Sequence, residues 1–206
     1  MEFLKSNMNV AIILKAPNFT DTVKETDVIY ADAGYKFSEK IGKKNVLAVV
    51  GDFDSLGKAP DGEKIIGLNV EKNYTDGERA IRYAKELGAK EVTIYGAYGG
   101  KIEHVLGNIA LLKIASDIGL KAKIKNGNTV TELFNGKRAF SVKENSALSL
   151  IPYGGKCEFK SSSGLYYPLE NLTLTPADTR GISNKTISNE VAFEIISGEA
   201  LIIYEE

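Results

Sequence analysis

Two aspartates separated by one residue follow an apolar run in the first part of the chain. Asp52 and Asp54 lie in Gly51-Asp52-Phe53-Asp54-Ser55, directly after Val46–Val50, a run typical of a buried strand. In an extended chain residues two apart point the same way, and in a tight turn both carboxylates can approach one cation. Mg²⁺ favours one or two carboxylates together with phosphate oxygens and waters. The spacing therefore indicates a magnesium site, although an isolated Asp-x-Asp also occurs as a solvated turn.

Residues with useful chemistry also follow the neighbouring predicted strands. Ligands of an open parallel sheet gather beyond the carboxyl ends of its strands. The residues at these positions are Asp32 and Gly34 after the second strand, Asp52 and Asp54 after the third, Thr75 and Asp76 after the fourth, and Gly96 to Lys101 after the fifth. We therefore expect four segments to converge at one edge of the sheet.

The residues at the predicted helix starts allow two interpretations each. Thr75 is a favourable N-cap, and Asp76 in a first helical turn is stabilised by the backbone dipole without any ligand. The loop Gly96–Lys101 offers backbone amides and one cation to an anion such as triphosphate, but it is neither a Walker A loop nor the dinucleotide fingerprint. His104 is the only histidine, and it could serve acid–base chemistry or a structural hydrogen bond.

The elements that position these residues alternate between strands and helices as far as about Lys125, which is the pattern of a parallel sheet covered by helices. The predicted strands are Asn9–Leu14, Asp27–Ala31, Val46–Val50, Lys64–Gly67, Glu91–Tyr95 and Lys121–Lys125. One helix begins at the capping box Thr75-Asp76-Gly77-Glu78, buries Ala80, Ile81, Ala84 and Leu87, and stops at Gly88. A second runs from about Glu103 to Ile118, with Leu106, Ile109, either Leu112 or Lys113, and Ile114 spaced to face the sheet.

After Asn126-Gly127 the pattern changes to short β-rich runs separated by turn signals such as Asn135-Gly136 and Ser197-Gly198. The predicted strands are Thr129–Phe134, Arg138–Val142, Ala147–Ile151, Lys156–Lys160, Val191–Ile196 and Ala200–Tyr204. We therefore predict an α/β plus all-β fold. Residues 1–127 would form a parallel-sheet α/β nucleotide-binding domain, and residues 128–206 a small antiparallel β-sandwich or barrel.

Composition excludes several functional classes. The chain has 206 residues, 43% of them hydrophobic, and a formal net charge of −1, so nothing favours a nucleic-acid or membrane-surface protein. Cys157 is the only cysteine, which excludes an intrachain disulfide framework and a cysteine-rich zinc site. The apolar run Val10–Leu14 is too short to span a bilayer and has no basic leader, so we expect a cytoplasmic protein without a membrane segment.

Five short motifs, taken together in order and spacing, resemble one enzyme family. They are Ala31-Asp32-Ala33-Gly34, Gly51-Asp52-Phe53-Asp54-Ser55, Thr75-Asp76, Gly99-Gly100-Lys101-Ile102-Glu103-His104 and Gly181-Ile182-Ser183-Asn184. The set is similar to that of the thiamine pyrophosphokinases, also called thiamine diphosphokinases, and covers nearly the whole chain. The resemblance implies an enzyme that transfers the diphosphoryl group of ATP to the hydroxyl of thiamine, giving thiamine diphosphate and AMP. It also implies a homodimer whose second domain binds thiamine and supports dimerisation.

The same resemblance implies roles for individual residues. Asp52, Asp54 and Asp76 would hold Mg²⁺ and act in catalysis. Asp32, Gly34, Thr75, Gly99, Gly100 and Lys101 would bind ATP, and Glu103, His104, Ser183 and Asn184 would bind the substrate.

Three departures from the family pattern keep other functions open. The usual Asp-Gly-Gly is Asp32-Ala33-Gly34, the usual Gly-Gly-Arg-x-Asp-His carries Lys101 and Glu103, and the chain has no tryptophan, whereas some members stack one near thiamine. They leave open a related diphosphokinase acting on a hydroxymethylpterin, and a non-catalytic nucleotide or thiamine sensor whose altered loops bind without turnover. Asp-x-Asp after an apolar strand also serves a phosphohydrolase that uses Asp52 as nucleophile, which is the third alternative.

Overall fold

The computed structural model describes residues 8–53, 56–67 and 74–206, and the chain divides into two compact units, Met1–Gly127 and Asn128–Glu206. Asp54, one of the predicted metal ligands, lies outside the described residues. We call the two parts unit 1 and unit 2.

Unit 1 contains a sheet of parallel strands in the order β6-β5-β1-β2-β3-β4. The strands are β1 (Asn9–Ile13), β2 (Asp27–Ala31), β3 (Asn45–Gly51), β4 (Ile65–Gly67), β5 (Glu91–Tyr95) and β6 (Lys121–Asn126). Val10–Ile13 of β1 is buried on both faces of the sheet, as a near-continuous apolar strand requires. The chain runs outward from β1 to β4 and then returns to the other side of β1 as β5. The point where the strand order reverses therefore lies between β1 and β5, where open α/β sheets bind ligands.

Helices connect these strands. After a 3₁₀ helix, Asp32–Phe37, come α1 (Ser38–Ile41), α2 (Asp76–Glu86) and α3 (Ile102–Asp117). The Thr75 hydroxyl accepts a hydrogen bond from the Glu78 backbone N–H at 3.2 Å, which confirms the predicted N-cap of α2. The Glu78 carboxylate binds Arg82, at 2.7 Å, so the reciprocal bond of a capping box is replaced by an ion pair.

The orientation of α3 differs from the prediction. Its buried residues are Leu111, Leu112 and Ala115, whereas Leu106, which we expected to face the sheet, is 61% exposed. Apolar side chains occur on every side of this helix, so their spacing does not identify the buried face.

Within the described ranges, no helix combines the length and the apolar character needed to cross a bilayer.

Unit 2 is built from antiparallel strands around one apolar core. The strands are β7 (Thr129–Ser141), β8 (Ala147–Pro152), β9 (Cys157–Ser163), β10 (Thr173–Leu174), β11 (Asn184–Lys185) and β12 (Glu190–Glu205). β12 pairs with β7 along one edge and with β9 and then β8 along the other. Phe193 of β12 meets Phe134 and Phe140 edge to face in the core, at centroid distances of 5.3 and 5.7 Å.

The turns predicted at Asn135-Gly136 and Ser197-Gly198 are wrong, because β7 and β12 each continue through them. Gly136 and Gly198 have φ values of +76° and +81°, and the register between β7 and β12 shifts between Ile195 and Ala200. Positive φ at glycine serves an irregularity within the strands here instead of a chain reversal.

Candidate active site

The carboxyl ends of β1 and β5 are in direct contact. The Leu14 N–H donates to the Tyr95 carbonyl at 2.9 Å, and a side chain at Gly96 would place its Cβ 2.4 Å from the Leu14 carbonyl oxygen. Further along, a Cβ at Gly99 would lie 3.0 Å from Cδ of Pro17. The loop after β5 therefore rests on the segment after β1, and glycine permits this close approach.

This loop leads into α3 and is tied to it. The Asn108 side-chain amide of α3 donates to the Ala97 carbonyl at 2.8 Å. Gly99 and Gly100 have φ values of +92° and +75° and are exposed, and Lys101 is the N-cap of α3. Among the described residues the exposed Lys101 ammonium has no ion-pair or hydrogen-bond partner. The start of α3 thus combines unsatisfied backbone N–H groups with an available cation, as an anion site requires.

The ends of β2 and β3 bring two carboxylates onto neighbouring strands. Asp32 follows β2 and is 9% exposed, with a φ of +40°. A Cβ at Gly51 would lie 3.1 Å from Cβ of Asp32, so the end of β3 packs on Asp32, and the exposed Asp52 comes next. A Cβ at Gly34 would meet the Ile13 carbonyl oxygen at 2.1 Å, which gives this glycine a packing role besides its proposed ligand role.

The start of α2 lies against the same region. A Cβ at Gly77 would lie 3.0 Å from a methyl carbon of Leu111 in α3 and 3.4 Å from one of Leu14. The preceding residue, Asp76, is half-buried in the first turn of α2. The start of α2, the segment after β1 and α3 therefore meet in unit 1.

The residues of unit 1 partly fit a magnesium ion. In the part of the chain that the structure describes, no three acidic, histidine or cysteine side chains come together as a ready-made metal-ligand group. Asp54 lies outside that part, so only Asp52 and Asp76 of the three predicted ligands can be located. The buried Oδ1 of Asp32, however, finds no hydrogen-bond partner in the described part of the chain, and a cation would satisfy it.

Glu103 and His104 both lie in the first turn of α3 and are exposed. The His104 ring makes no hydrogen bond with the described residues. Both side chains remain accessible to a ligand.

The segment after β1 is held in place by polar contacts. The Tyr95 hydroxyl donates to the Glu25 carboxylate at 3.0 Å, and burial followed by the nearby Glu25 charge raises the Tyr95 pKa well above its ordinary value. The Lys44 ammonium donates to the carbonyls of Val23 and Glu25 at 2.9 and 2.8 Å. Tyr95 therefore remains a neutral donor and helps to anchor this segment.

Unit 2 carries the remaining predicted residues, Ser183 and Asn184. Asn184 is 5% exposed; its Oδ1 accepts from the backbone N–H groups of Tyr167 at 3.0 Å and Lys185 at 2.8 Å, and its Nδ2 donates to the Tyr167 carbonyl at 2.7 Å. Ser183 is exposed, and its backbone N–H donates to the Ser149 hydroxyl at 3.0 Å. The Asn184 amide is therefore engaged within unit 2, whereas the Ser183 side chain is accessible.

Two candidate features were missed from the sequence. Tyr166 and Tyr167 are each 61% exposed and meet edge to face at 4.9 Å, beside Asn184. Lys15 is exposed two residues after the end of β1, at the switch point of the sheet, and its ammonium has no partner in the described ranges. The sequence signal for the tyrosines was two adjacent aromatic residues after Gly164-Leu165. For Lys15 it was a cation directly after the first predicted strand.

Two family models match the chain. Residues 20–124 match the model described as "Thiamin pyrophosphokinase, catalytic domain", and residues 138–199 match "Thiamin pyrophosphokinase, vitamin B1 binding domain". A curated relative, the thiamine pyrophosphokinase of Bacillus subtilis (strain 168), is 30% identical over 161 residues, which cover 74% of this chain and 75% of the relative.

Solved structures of such enzymes are similar to this chain over nearly its whole length. The crystal structure of thiamine pyrophosphokinase from Bacillus subtilis has a TM-score of 0.84 and 25% identity, covering 96% of this chain and 98% of that one. Thiamin pyrophosphokinase from Geobacillus thermodenitrificans has a TM-score of 0.80, 22% identity and coverage of 97% and 98%. The yeast enzyme has a TM-score of 0.75, 13% identity and coverage of 97% and 86%, which is a similarity of fold.

Proposed function

The chain belongs to the thiamin pyrophosphokinase family, and from this premise we propose that unit 1 binds ATP with Mg²⁺ while unit 2 supplies residues that bind thiamine. The enzyme is a diphosphotransferase that forms thiamine diphosphate and AMP. The observation that carries this conclusion is the match of separate catalytic and vitamin-binding models to the two successive parts of the chain.

The reaction moves a diphosphoryl group as a whole. The thiamine hydroxyl attacks the β-phosphorus of ATP, the bond between the α- and β-phosphates breaks, and AMP leaves. Little covalent chemistry falls to the protein, so its main contributions are positioning and neutralisation of charge. The hydroxyl proton has to be accepted by a base, for which Asp52 and Asp76 are the candidates.

The triphosphate would lie at the switch point between β1 and β5. The Gly99-Gly100 turn and the backbone N–H groups at the start of α3 can donate to phosphate oxygens. Lys101, and Lys15 on the opposing segment, would add positive charge, since both ammonium groups lack partners among the described residues. Thr75 and Gly34 border the same edge of the sheet.

Asp52, Asp54 and Asp76 would hold Mg²⁺ beside this triphosphate. When bound, the ion would neutralise phosphate charge as the bond to AMP breaks. The chain's own contribution is to keep several carboxylates at one edge of the sheet, with the packing of Gly51 on Asp32 bringing the ends of β2 and β3 together.

In unit 2, thiamine would meet an aromatic surface. The Tyr166 and Tyr167 rings are exposed, and the thiazolium ring of thiamine is a cation that tyrosine faces attract. Ser183, the residue before Asn184, offers an exposed hydroxyl. Asn184 itself binds the backbone N–H and carbonyl of Tyr167. Glu103 and His104 of unit 1 are the remaining proposed substrate contacts.

We further propose a cytoplasmic homodimer. The exposed Ile102 and Leu106 on α3 are available for a subunit contact, and the one cysteine is a buried free thiol. Analytical ultracentrifugation of the purified chain measures the assembly directly.

The test of function is product analysis with purified protein, Mg²⁺, ATP and thiamine. We expect thiamine diphosphate and AMP in equal amounts, and ADP as the nucleotide product would contradict diphosphoryl transfer. Family membership favours this reaction over the three alternatives. Each alternative has its own outcome. Transfer to a hydroxymethylpterin would support the pterin diphosphokinase, hydrolysis of simple phosphate monoesters would support the phosphohydrolase, and ligand binding without turnover would support the sensor.

A further inference from the structure

Asp32 is held in an unfavourable state by its surroundings. It is 9% exposed, its Oδ1 has no hydrogen-bond partner within the described ranges, and its φ of +40° lies in the left-handed region that non-glycine residues rarely adopt. A buried carboxylate oxygen without a donor is costly, and a strained backbone adds to that cost. A group in such a state calls for a specific explanation.

No described residue forms an ion pair with Asp32 or donates a hydrogen bond to its Oδ1. The residue follows β2, which pairs with β1 on one side and β3 on the other. A Cβ at Gly51 would lie 3.1 Å from Cβ of Asp32, so the end of β3 packs closely against it. Among the described ion pairs none includes Asp32, and the next residue of the neighbouring strand segment is another acid, Asp52. A buried carboxylate oxygen without a described partner, on a strand end next to one that carries a second acid, is a position that a bound cation would stabilise.

We propose that Asp32 is an additional Mg²⁺ ligand, acting through Oδ1 either directly or through one of the waters that the ion retains. This inference rests on the proposed function and extends it, because the family resemblance implied only Asp52, Asp54 and Asp76 as metal ligands and placed Asp32 with ATP. Mg²⁺ takes carboxylate oxygens and keeps part of its water shell, so both modes are chemically accessible. The buried position fixes the carboxylate before the ion arrives, which reduces the ordering cost of binding.

The burial of Asp32 has a consequence for the metal-free protein. An unpartnered buried carboxylate destabilises the fold until a cation arrives, so the ion should stabilise the wild-type protein strongly. Asp32→Asn keeps the size of the side chain and removes the charge. The variant should be at least as stable as wild type without metal, and it should gain less from added Mg²⁺.

The experiment compares Asp32→Asn with Asp27→Asn, which changes an aspartate at the opposite end of the same strand. Asp27 accepts a hydrogen bond from the Asn45 side chain at 2.6 Å, and an asparagine oxygen can still accept it. Bound Mn²⁺ is measured by electron paramagnetic resonance, and Mg²⁺-induced shifts of melting temperature are measured in parallel, both with and without ATP. For Asp32→Asn we expect at least a tenfold weaker Mn²⁺ affinity and loss of most of the Mg²⁺-induced shift, with wild-type behaviour for Asp27→Asn.

Mn²⁺ affinity equal to wild type in a folded Asp32→Asn protein would overturn the proposal. If that variant does not fold, wild-type crystals grown with Mn²⁺ and a non-hydrolysable ATP analogue decide the question. An anomalous peak within about 2.2 Å of Oδ1, or a peak joined to Oδ1 through one bound water, supports the assignment. A peak that neither contacts Oδ1 nor is joined to it by a bound water overturns it. Product analysis of the wild-type enzyme is independent of these measurements, so failure to form thiamine diphosphate would count against the proposed function alone.

Discussion

Asn184 binds both backbone polar groups of Tyr167: its Nδ2 donates to the carbonyl at 2.7 Å, and its Oδ1 accepts from the N–H at 3.0 Å. The two residues are 17 positions apart. The side-chain amide therefore makes the pair of backbone hydrogen bonds that a neighbouring strand would make with Tyr167. Asn184 is buried, whereas the Tyr166 and Tyr167 rings are exposed. This geometry suits a positioning role for Asn184, with the tyrosine rings left accessible to the thiamine proposed to bind there.

The first prediction tests this positioning role. Asn184→Ala leaves the buried backbone groups of Tyr167 without partners, which should lower the free energy of unfolding by about 1–3 kcal/mol. The KM for thiamine should rise while the KM for ATP stays close to wild type, because the change is confined to unit 2. Asn189→Ala, at an exposed position of the same unit, is the matched control. An unchanged KM for thiamine in a folded Asn184→Ala protein would show that the tyrosine segment does not position the substrate.

The second prediction concerns the contact between the β1 and β5 ends. Gly96→Ala would place Cβ 2.4 Å from the Leu14 carbonyl oxygen, at a φ of +70°. Gly88→Ala shares the positive φ, +88°, but meets no atom within 4 Å, so it isolates the backbone term of about 1–2 kcal/mol. Urea denaturation should show a loss for Gly96→Ala that exceeds the loss for Gly88→Ala by about 1–3 kcal/mol. Equal losses would mean that the close approach is not needed for stability.

Sequence patterns located the strands of unit 1 well because these strands are buried apolar runs with few alternatives. They did not identify the buried face of α3, since apolar residues surround that helix and Leu106 is exposed. They also predicted chain reversals at Gly136 and Gly198, where the strands in fact continue. A positive φ suits both a hairpin turn and a strand irregularity, and the long pairing of β7 with β12 decides between them.

The candidate site was predictable as a set of residue types and less so as a set of contacts. Position after a strand was enough to select Asp32, Asp52 and Asp76. A motif, however, names a residue and not its hydrogen-bond partner, so the engagement of Asn184 by Tyr167 could not be read from Ser183-Asn184. The burial of Oδ1 of Asp32, without a partner among the described residues, likewise depends on how the ends of β2 and β3 pack together.

The third prediction separates the capping role of Thr75 from its proposed contact with ATP. Thr75→Ala removes the acceptor for the Glu78 N–H and should cost about 1 kcal/mol in the absence of nucleotide. Thr75→Ser retains a hydroxyl and should keep most of that stability. The measurement is thermal or urea unfolding of the three proteins without ligands. If Thr75→Ala is as stable as wild type, the cap contributes nothing to the fold.

The fourth prediction follows from the buried Cys157 thiol. Burial, with a smaller effect of the Glu158 charge, raises its pKa to about 11. The folded thiol therefore holds its proton more tightly than the unfolded one, so its contribution to stability is present below the ordinary thiol pKa and is lost as the pH rises towards 11. At pH 8 a disulfide reagent should modify the native protein far more slowly than the urea-unfolded protein. Equal rates would contradict the burial of this side chain.

The fifth prediction concerns Lys101, where the family pattern has arginine. Its exposed ammonium is available to the triphosphate, so Lys101→Ala should raise the KM for ATP about tenfold, which corresponds to about 1.4 kcal/mol of lost phosphate interaction. Lys101→Arg should keep or improve ATP binding, because a guanidinium can bind two phosphate oxygens at once.

Lys90→Ala is the matched control, since Lys90 is exposed at the opposite end of β5. The KM for ATP of Lys101→Ala should also depend less on ionic strength than that of wild type, because one screened charge is gone. A Lys101→Ala enzyme with the KM and salt dependence of wild type would remove Lys101 from the phosphate site and leave Lys15 as the cation at the switch point.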